Sequence, residues 1–131
     1  MGKLTSKQVN ELANNFLALA QSLGDYRYKN FNSLTELQNK KLRESHKRTL
    51  DYSDDLYTLS ATLVMNDAEE SLAAIHKITK KIKKTYKSID NVQNIINIAT
   101  GVVTLGASIF SLNPQAIIDA FGNLKKAVEQ V

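Results

Sequence analysis

From Asn91 to Ile118 the chain carries no Asp, Glu, Lys or Arg, although 23% of all its residues are of those types. The heart of this run is Ile95 to Leu112, and Asn113-Pro114 follows it as a helix-capping residue and a first-turn proline. A helix with so little polar surface has to be covered by another part of the chain, by a second subunit or by a bilayer. Its length approaches the ~20 apolar residues that cross a membrane. Asn94, Asn97, Thr100, Thr104, Ser108 and Ser111, however, recur at three- and four-residue steps and draw a narrow polar stripe along it. Ala99, Gly101, Gly106 and Ala107 permit close approach of another helix. Covering by protein is the expectation.

The segments around the run read as amphipathic helices. Thr5 with Gln8 forms a capping box, Leu4 and Val9 have staple spacing, and Val9, Leu12, Phe16, Leu19 and Leu23 make one stripe. Gly24 stands where a glycine would end that helix. The connector that follows holds Tyr26, Tyr28 and Phe31, expected to close one end of a bundle. Ser33 with Glu36 predicts the start of a second helix, nearly all polar at first. Leu42, Thr49, Leu56 and Leu63 then recur every seven residues, with Tyr52 and Leu59 on the interleaved seam, and Glu44 to Arg48 has ion-pair spacing.

Asp67 with Glu70 predicts a third helix start. Ala68, Ile75, Ile82 and Ile89 repeat at seven, with Leu72, Thr79 and Tyr86 between them and Ile78 alongside. Lys77, Lys80, Lys81, Lys83, Lys84 and Lys87 take the opposite face. A break near Ser88 to Asp90 is expected, with Asp90 and Gln93 capping the uncharged helix. The last helix carries Ile117, Phe121, Leu124 and Val128 as its stripe. No segment alternates as a strand would, and Pro occurs once. The expected fold is all-α: one domain over residues 1–131, an antiparallel up-and-down bundle of four or five helices with consecutive helices as neighbours and an apolar C-terminal hairpin at 91–130.

Several function classes lack their residues. There is no cysteine, hence no disulfide, thiol nucleophile or thiolate metal site. The two histidines, His46 and His76, fall in different helices, and no zincin or di-iron spacing, phosphate-binding loop or nucleophile elbow occurs. Asp51, Asp54 and Asp55 share a helix face but read as solvated charge. An enzyme is not expected, nor a cofactor, a metal or a small-molecule substrate. Met1-Gly2-Lys3-Leu4-Thr5-Ser6 matches the myristoylation pattern, a short one that chance often supplies. Lys3, Lys7 and Glu11 open a mixed helix rather than an apolar leader, from which a cytoplasmic location, peripheral to a membrane at most, is expected. The wealth of Asn, Lys and Ile suggests a bacterial or phage source.

Six lysines within eleven residues are suited to anions, and the net charge of +4 leans the same way. With no arginine among them and only Tyr86 for stacking, nucleic-acid recognition is poorly supported and would be non-specific. An apolar helix, a turn and a second apolar segment beside a lysine-rich amphipathic helix, residues 89–121, resembles the hydrophobic hairpins of α-helical pore-forming toxins. That resemblance implies insertion of the hairpin into a membrane.

Two readings follow. The first is a non-enzymatic protein–protein interaction module of the immunity, inhibitor or accessory type, self-associating, as a homodimer for instance, through Ile95, Ile98, Val102, Leu105, Ile109, Ile117, Phe121 and Leu124. The second is a membrane-active protein in which the six lysines attract anionic lipid and the hairpin inserts.

Overall fold

The computed structural model describes residues 3–58, 63–89 and 91–130. Five helices account for most of them: α1 (Ser6–Lys29), α2 (Glu36–Tyr57), α3 (Ala68–Ser88), α4 (Val92–Phe110) and α5 (Pro114–Glu129). The all-α bundle expected from the periodicities is what forms.

Each helix begins on a side-chain cap that occupies otherwise unpaired backbone N–H groups. Thr5 and Gln8 form the predicted reciprocal box, with Gln8 N donating to Thr5 Oγ1 at 3.1 Å and Thr5 N to Gln8 Oε1 at 2.9 Å. Asp67, in a left-handed conformation with φ 46°, accepts from Glu70 N. Asn113 accepts from Gln115 N and Ala116 N, with Pro114 opening the first turn.

Two starts differ from expectation. The box on α2 is Thr35 with Gln38, not Ser33 with Glu36, because Phe31–Ser33 form a 3₁₀ turn in which Ser33 N donates to Asn30 O. The cap of α4 is Asn91, whose side chain accepts from Gln93 N and Asn94 N. Asp90, expected there, lies outside the described residues, as do Leu59 and the acylation position Gly2.

Gly24 does not end α1. The helix runs on to Lys29, which places Tyr26 on the buried stripe after Leu12, Phe16, Leu19 and Leu23. Gly24 instead marks a close approach: a Cβ there would stand 3.0 Å from His46 Nε2 on α2. Of the three aromatics expected to close the end, only Tyr26 is buried, tilted against Tyr86 at 6.2 Å. Tyr28 and Phe31 face solvent, Phe31 beneath the Arg27 guanidinium.

The polar helix α2 packs through a thin line of Leu42, Thr49, Ser53 and Leu56. Its buried hydroxyls are satisfied: Thr49 Oγ1 donates to Ser45 O at 2.7 Å, and Ser53 Oγ donates across to Ala13 O at 3.0 Å. Small hydroxyl side chains thus let a mostly solvated helix sit close against α1. Tyr52 fills the space beside them, edge-on to Phe16 and stacked on Phe110. Leu63 lies beyond the end of α2, so the seven-residue repeat does not extend that far as helix. Leu63 is buried nonetheless, and its carbonyl accepts from Leu4 N at 3.0 Å beside a Lys3–Val64 bridge. Glu44 and Arg48 form no ion pair; among the described residues that pairing is made by Lys47 and Asp51 at 3.3 Å, on the exposed face of α2.

Cross-helix contacts fix the directions. Tyr57 donates to Asn14, Ser53 to Ala13 and Arg27 Nε to Asn39, so α1 and α2 are antiparallel. Asn15 pairs with His76 and Tyr26 packs on Tyr86, so α1 and α3 run parallel. Leu124 lies against Gly101, closing the α4–α5 hairpin. Consecutive helices therefore alternate in direction, as expected for an up-and-down bundle.

Their spatial order does not follow the chain. The principal packings are α1 on α2, α2 on α4, α4 on α5, α5 on α3 and α3 on α1, a closed ring in which α3 is beside neither α2 nor α4 as a main partner. The expectation that consecutive helices are neighbours holds for α1–α2 and α4–α5 only. Connection length does not decide this, since three residues join α3 to α4 and three join α4 to α5.

Candidate functional site: the lysine face of α3

The charge-free run locates the core rather than a surface. In α4, Ile95, Ile98, Val102, Leu105 and Ile109 are each at most 2% exposed, and in α5 Ile117 and Leu124 are buried with them. Of the eight residues expected to make a self-association surface, only Phe121 is half-buried; the other seven form the chain's own interior. The surface expected for a homodimer is thereby corrected: α2 and α5 already cover it. The expected polar stripe meets water only in part: Asn97, Thr100, Thr104 and Ser111 are exposed, Asn94 is half-buried, and Ser108 is buried with its Oγ donating to Leu105 O. Gln93 is exposed as well, and Thr104 Oγ1 returns its hydrogen bond to Thr100 O. Among the described residues α4 is the one helix long and apolar enough to cross a membrane, with mean hydropathy 1.4, and half of it is buried in the bundle.

The lysines are placed as expected. Leu72, Ile75, Ile78, Thr79, Ile82 and Tyr86 turn inward, and Lys77, Lys80, Lys81, Lys83, Lys84 and Lys87 are all exposed. No carboxylate of the described residues pairs with any of them. They cover nearly half of the helix circumference and lean to both flanks. Lys80 and Lys83 line a groove of about 770 Å³ between α3 and α1, over Asn15, Ala18 and Ala73. Lys77 and Lys81 border a smaller cavity of about 330 Å³ between α3 and α5. Lys84 stands between the two flanks.

A buried amide, Asn15, and a buried phenol, Tyr86, lie behind this face. Asn15, 7% exposed, holds His76 Nδ1 at 3.0 Å and so ties α1 to the middle of α3. Burial pushes the Tyr86 phenol well above its ordinary range, so the ring beneath the lysines stays neutral. At the start of α3, the Glu70 carboxyl is raised by its hydrogen bond to Asp67 and by the charge of that neighbour.

One feature of the face emerges only once the helices are placed. Because consecutive helices alternate, Arg27 and Lys29 of α1, Lys40, Lys41 and Arg43 of α2, and Lys125 and Lys126 of α5 all come to the end of the bundle where α3 finishes. The acidic residues Asp51, Asp54, Asp55, Asp67, Glu69, Glu70 and Asp119 lie at the other end. Asp25, Glu36 and Glu129 at the basic end and Lys3 and Lys7 at the acidic end offset the separation in part, leaving a net excess of each sign. Part of this is helix-dipole preference, since Lys87 and Lys126 sit in last turns and Glu69 and Glu70 in a first turn. Lys40 and Lys41 go against it, lying near the positive end of α2. The bundle is therefore electrostatically polarised along its axis, with the lysine face opening onto its basic end. The signal was present in the sequence as separate charge runs, but their summation depends on helix direction.

The arrangement provides six exposed ammonium groups along one helix. It is suited to holding an anionic surface and offers no nucleophile–base pair. Among the described residues no group of three or more His, Asp or Glu gathers as metal ligands would. Comparison of the chain with protein-family models, curated proteins and solved structures finds no match.

Proposed function

We propose that this chain is a non-enzymatic helical binding module that docks on an anionic lipid surface through the lysine face of α3. The observation that carries the proposal is the set of six exposed lysines on one helix without a paired carboxylate, opening onto the basic end of the bundle. Diffuse attraction to anionic lipid headgroups uses lysine and arginine alike, at ~1 kcal/mol per residue near the surface. Interfaces between proteins favour arginine and are depleted of lysine.

Docking of this kind leaves the bundle closed. The apolar stripe of α3 is already committed to the core, so attraction comes from charge and falls as salt screens it. Flotation with vesicles tests the proposal. The chain is expected to float with anionic vesicles at low salt, to be released near physiological salt or above, and to ignore neutral vesicles. Replacement of Lys80, Lys81, Lys83 and Lys84 by Gln is expected to abolish flotation. Absence of anionic-vesicle binding at low salt would remove the proposal.

A second reading, an interaction module for an acidic protein partner, is favoured by one observation. The groove between α1 and α3 passes over the small residues Ala18 and Ala73, with Lys80 and Lys83 toward the basic end of the bundle and Lys7, Glu11 and Glu69 toward the other. An acidic helix laid there would meet both charge and shape, which a membrane does not require. Under this reading Ala73→Trp, which fills the groove and leaves every lysine in place, blocks binding, whereas vesicle docking tolerates it.

A further inference from the structure

The cavity between α3 and α5 differs from the other grooves in its floor. Ile78 and Val128 are buried there and Phe121 is half-buried beside them, so the bottom is apolar. Lys77 and Lys81 stand on one rim and Lys125 on the other, with Glu129 at one end. The packing of α3 on α5 is the least extensive of the five that close the ring, which is why an opening exists at this seam.

We infer that this seam is a binding site for a single-chain lipid anion, its alkyl chain on Ile78, Phe121 and Val128 and its phosphate among Lys77, Lys81 and Lys125. The inference rests on the lipid-surface reading of α3 and gives it a specific ligand. The volume, about 330 Å³, lies at the lower edge of the ~300–1,000 Å³ of small-molecule sites, room for one chain and not two. The headgroup follows from charge. A phosphate monoester carries about −1.5 to −2 at neutral pH and offers three acceptor oxygens, a closer match than one carboxylate to an opening lined by three lysines and one glutamate. An apolar chain without a charge would leave the lysines unused, and a small anion without a chain would leave the apolar floor in water.

The test is a titration of the full chain with dodecyl phosphate below its micelle concentration, followed by NMR. Saturable shifts are expected at the methyl groups of Ile78 and Val128, with one ligand per chain. Inorganic phosphate and uncharged dodecyl maltoside at the same concentrations are expected to leave those methyls in place. Lys125→Gln, on the exposed side of α5, is expected to weaken dodecyl phosphate about fivefold while leaving vesicle flotation nearly intact. Lys84→Gln, which does not border the cavity, is expected to do the reverse. Equal shifts with dodecyl maltoside, shifts confined to surface lysines, or indifference to Lys125→Gln would overturn the inference. If vesicles bind and dodecyl phosphate does not, the seam proposal falls and surface docking stands; the opposite result keeps the seam and removes surface docking.

Discussion

Helices α3 and α4 are close in length and adjacent in sequence, yet they solve opposite problems. In α3 the apolar residues form one stripe, the lysines take the rest, and the inward and outward faces are separated by charge. In α4 there is no charge to mark the outside, and its wet face is defined only by Gln93, Asn97, Thr100 and Thr104. The difference teaches that an uncharged helix need not be surrounded. A stripe of hydroxyls and amides three or four residues apart is enough to meet water, provided that neighbours such as α2 and α5 cover the remainder.

The sharpest way to break that comparison is to put the same charge on the two sides of α4. Val102→Glu places a carboxylate where the residue is 2% exposed, with no partner. Its desolvation costs several kcal/mol, a large part of the ~5–15 kcal/mol that holds a small domain together, and the chain is expected to unfold by circular dichroism. Thr104→Glu, two residues on and exposed, is expected to shift stability by no more than ~0.5 kcal/mol in urea. Equal sensitivity at both positions would mean that the exposed stripe is itself covered.

A smaller effect is expected at Gly106. A Cβ there would run into the ring of Tyr52, which is held between Phe16 and Phe110. Gly106→Ala is expected to cost ~1–3 kcal/mol by overpacking even though alanine is the better helix former by ~1 kcal/mol. Tyr52→Leu should relieve it, seen as non-additivity in a double-mutant cycle. Smaller again is Ser53→Ala, which removes the bond to Ala13 O and is expected to cost ~1 kcal/mol.

On the α3 side, the expectation concerns pH. Burial raises the Tyr86 phenol above its ordinary range near pH 10, so the folded chain holds a proton that the unfolded chain gives up. Its contribution is therefore complete below pH ~10 and is lost as pH rises beyond it. Tyr86→Phe is expected to leave stability near pH 7 almost unchanged and to flatten its alkaline decline relative to the parent chain. A decline as steep in the variant would show that Tyr86 is not its source.

Much of the fold was legible because its determinants are local. Thr5 with Gln8, Asp67 with Glu70 and Asn113 with Pro114 each start a helix with groups a few residues apart, and the repeat from Ala68 to Ile89 states which face of α3 is inside. Gly24 misled because a glycine can serve either a helix end or a close contact, and only the position of His46 decides between them. The sparse apolar content of α2 hid a packing line made of Thr49 and Ser53, whose burial depends on carbonyls they find only after folding. The lysine face was readable as a pattern. The expected hairpin interface was misplaced because the ring order α1, α2, α4, α5, α3 supplies covers for α4 that no local pattern announces. The axial charge separation and the α3–α5 seam depend on the same ordering.

Amide hydrogen exchange in the presence of anionic vesicles at low salt tests at once the inward face of α4 and the docking role proposed for α3. The chain is expected to bind the vesicles while the amides of Ile98, Val102 and Leu105 keep the protection they have in solution. Vesicle binding accompanied by loss of protection in α4 would contradict the first, and no vesicle binding at all would contradict the second.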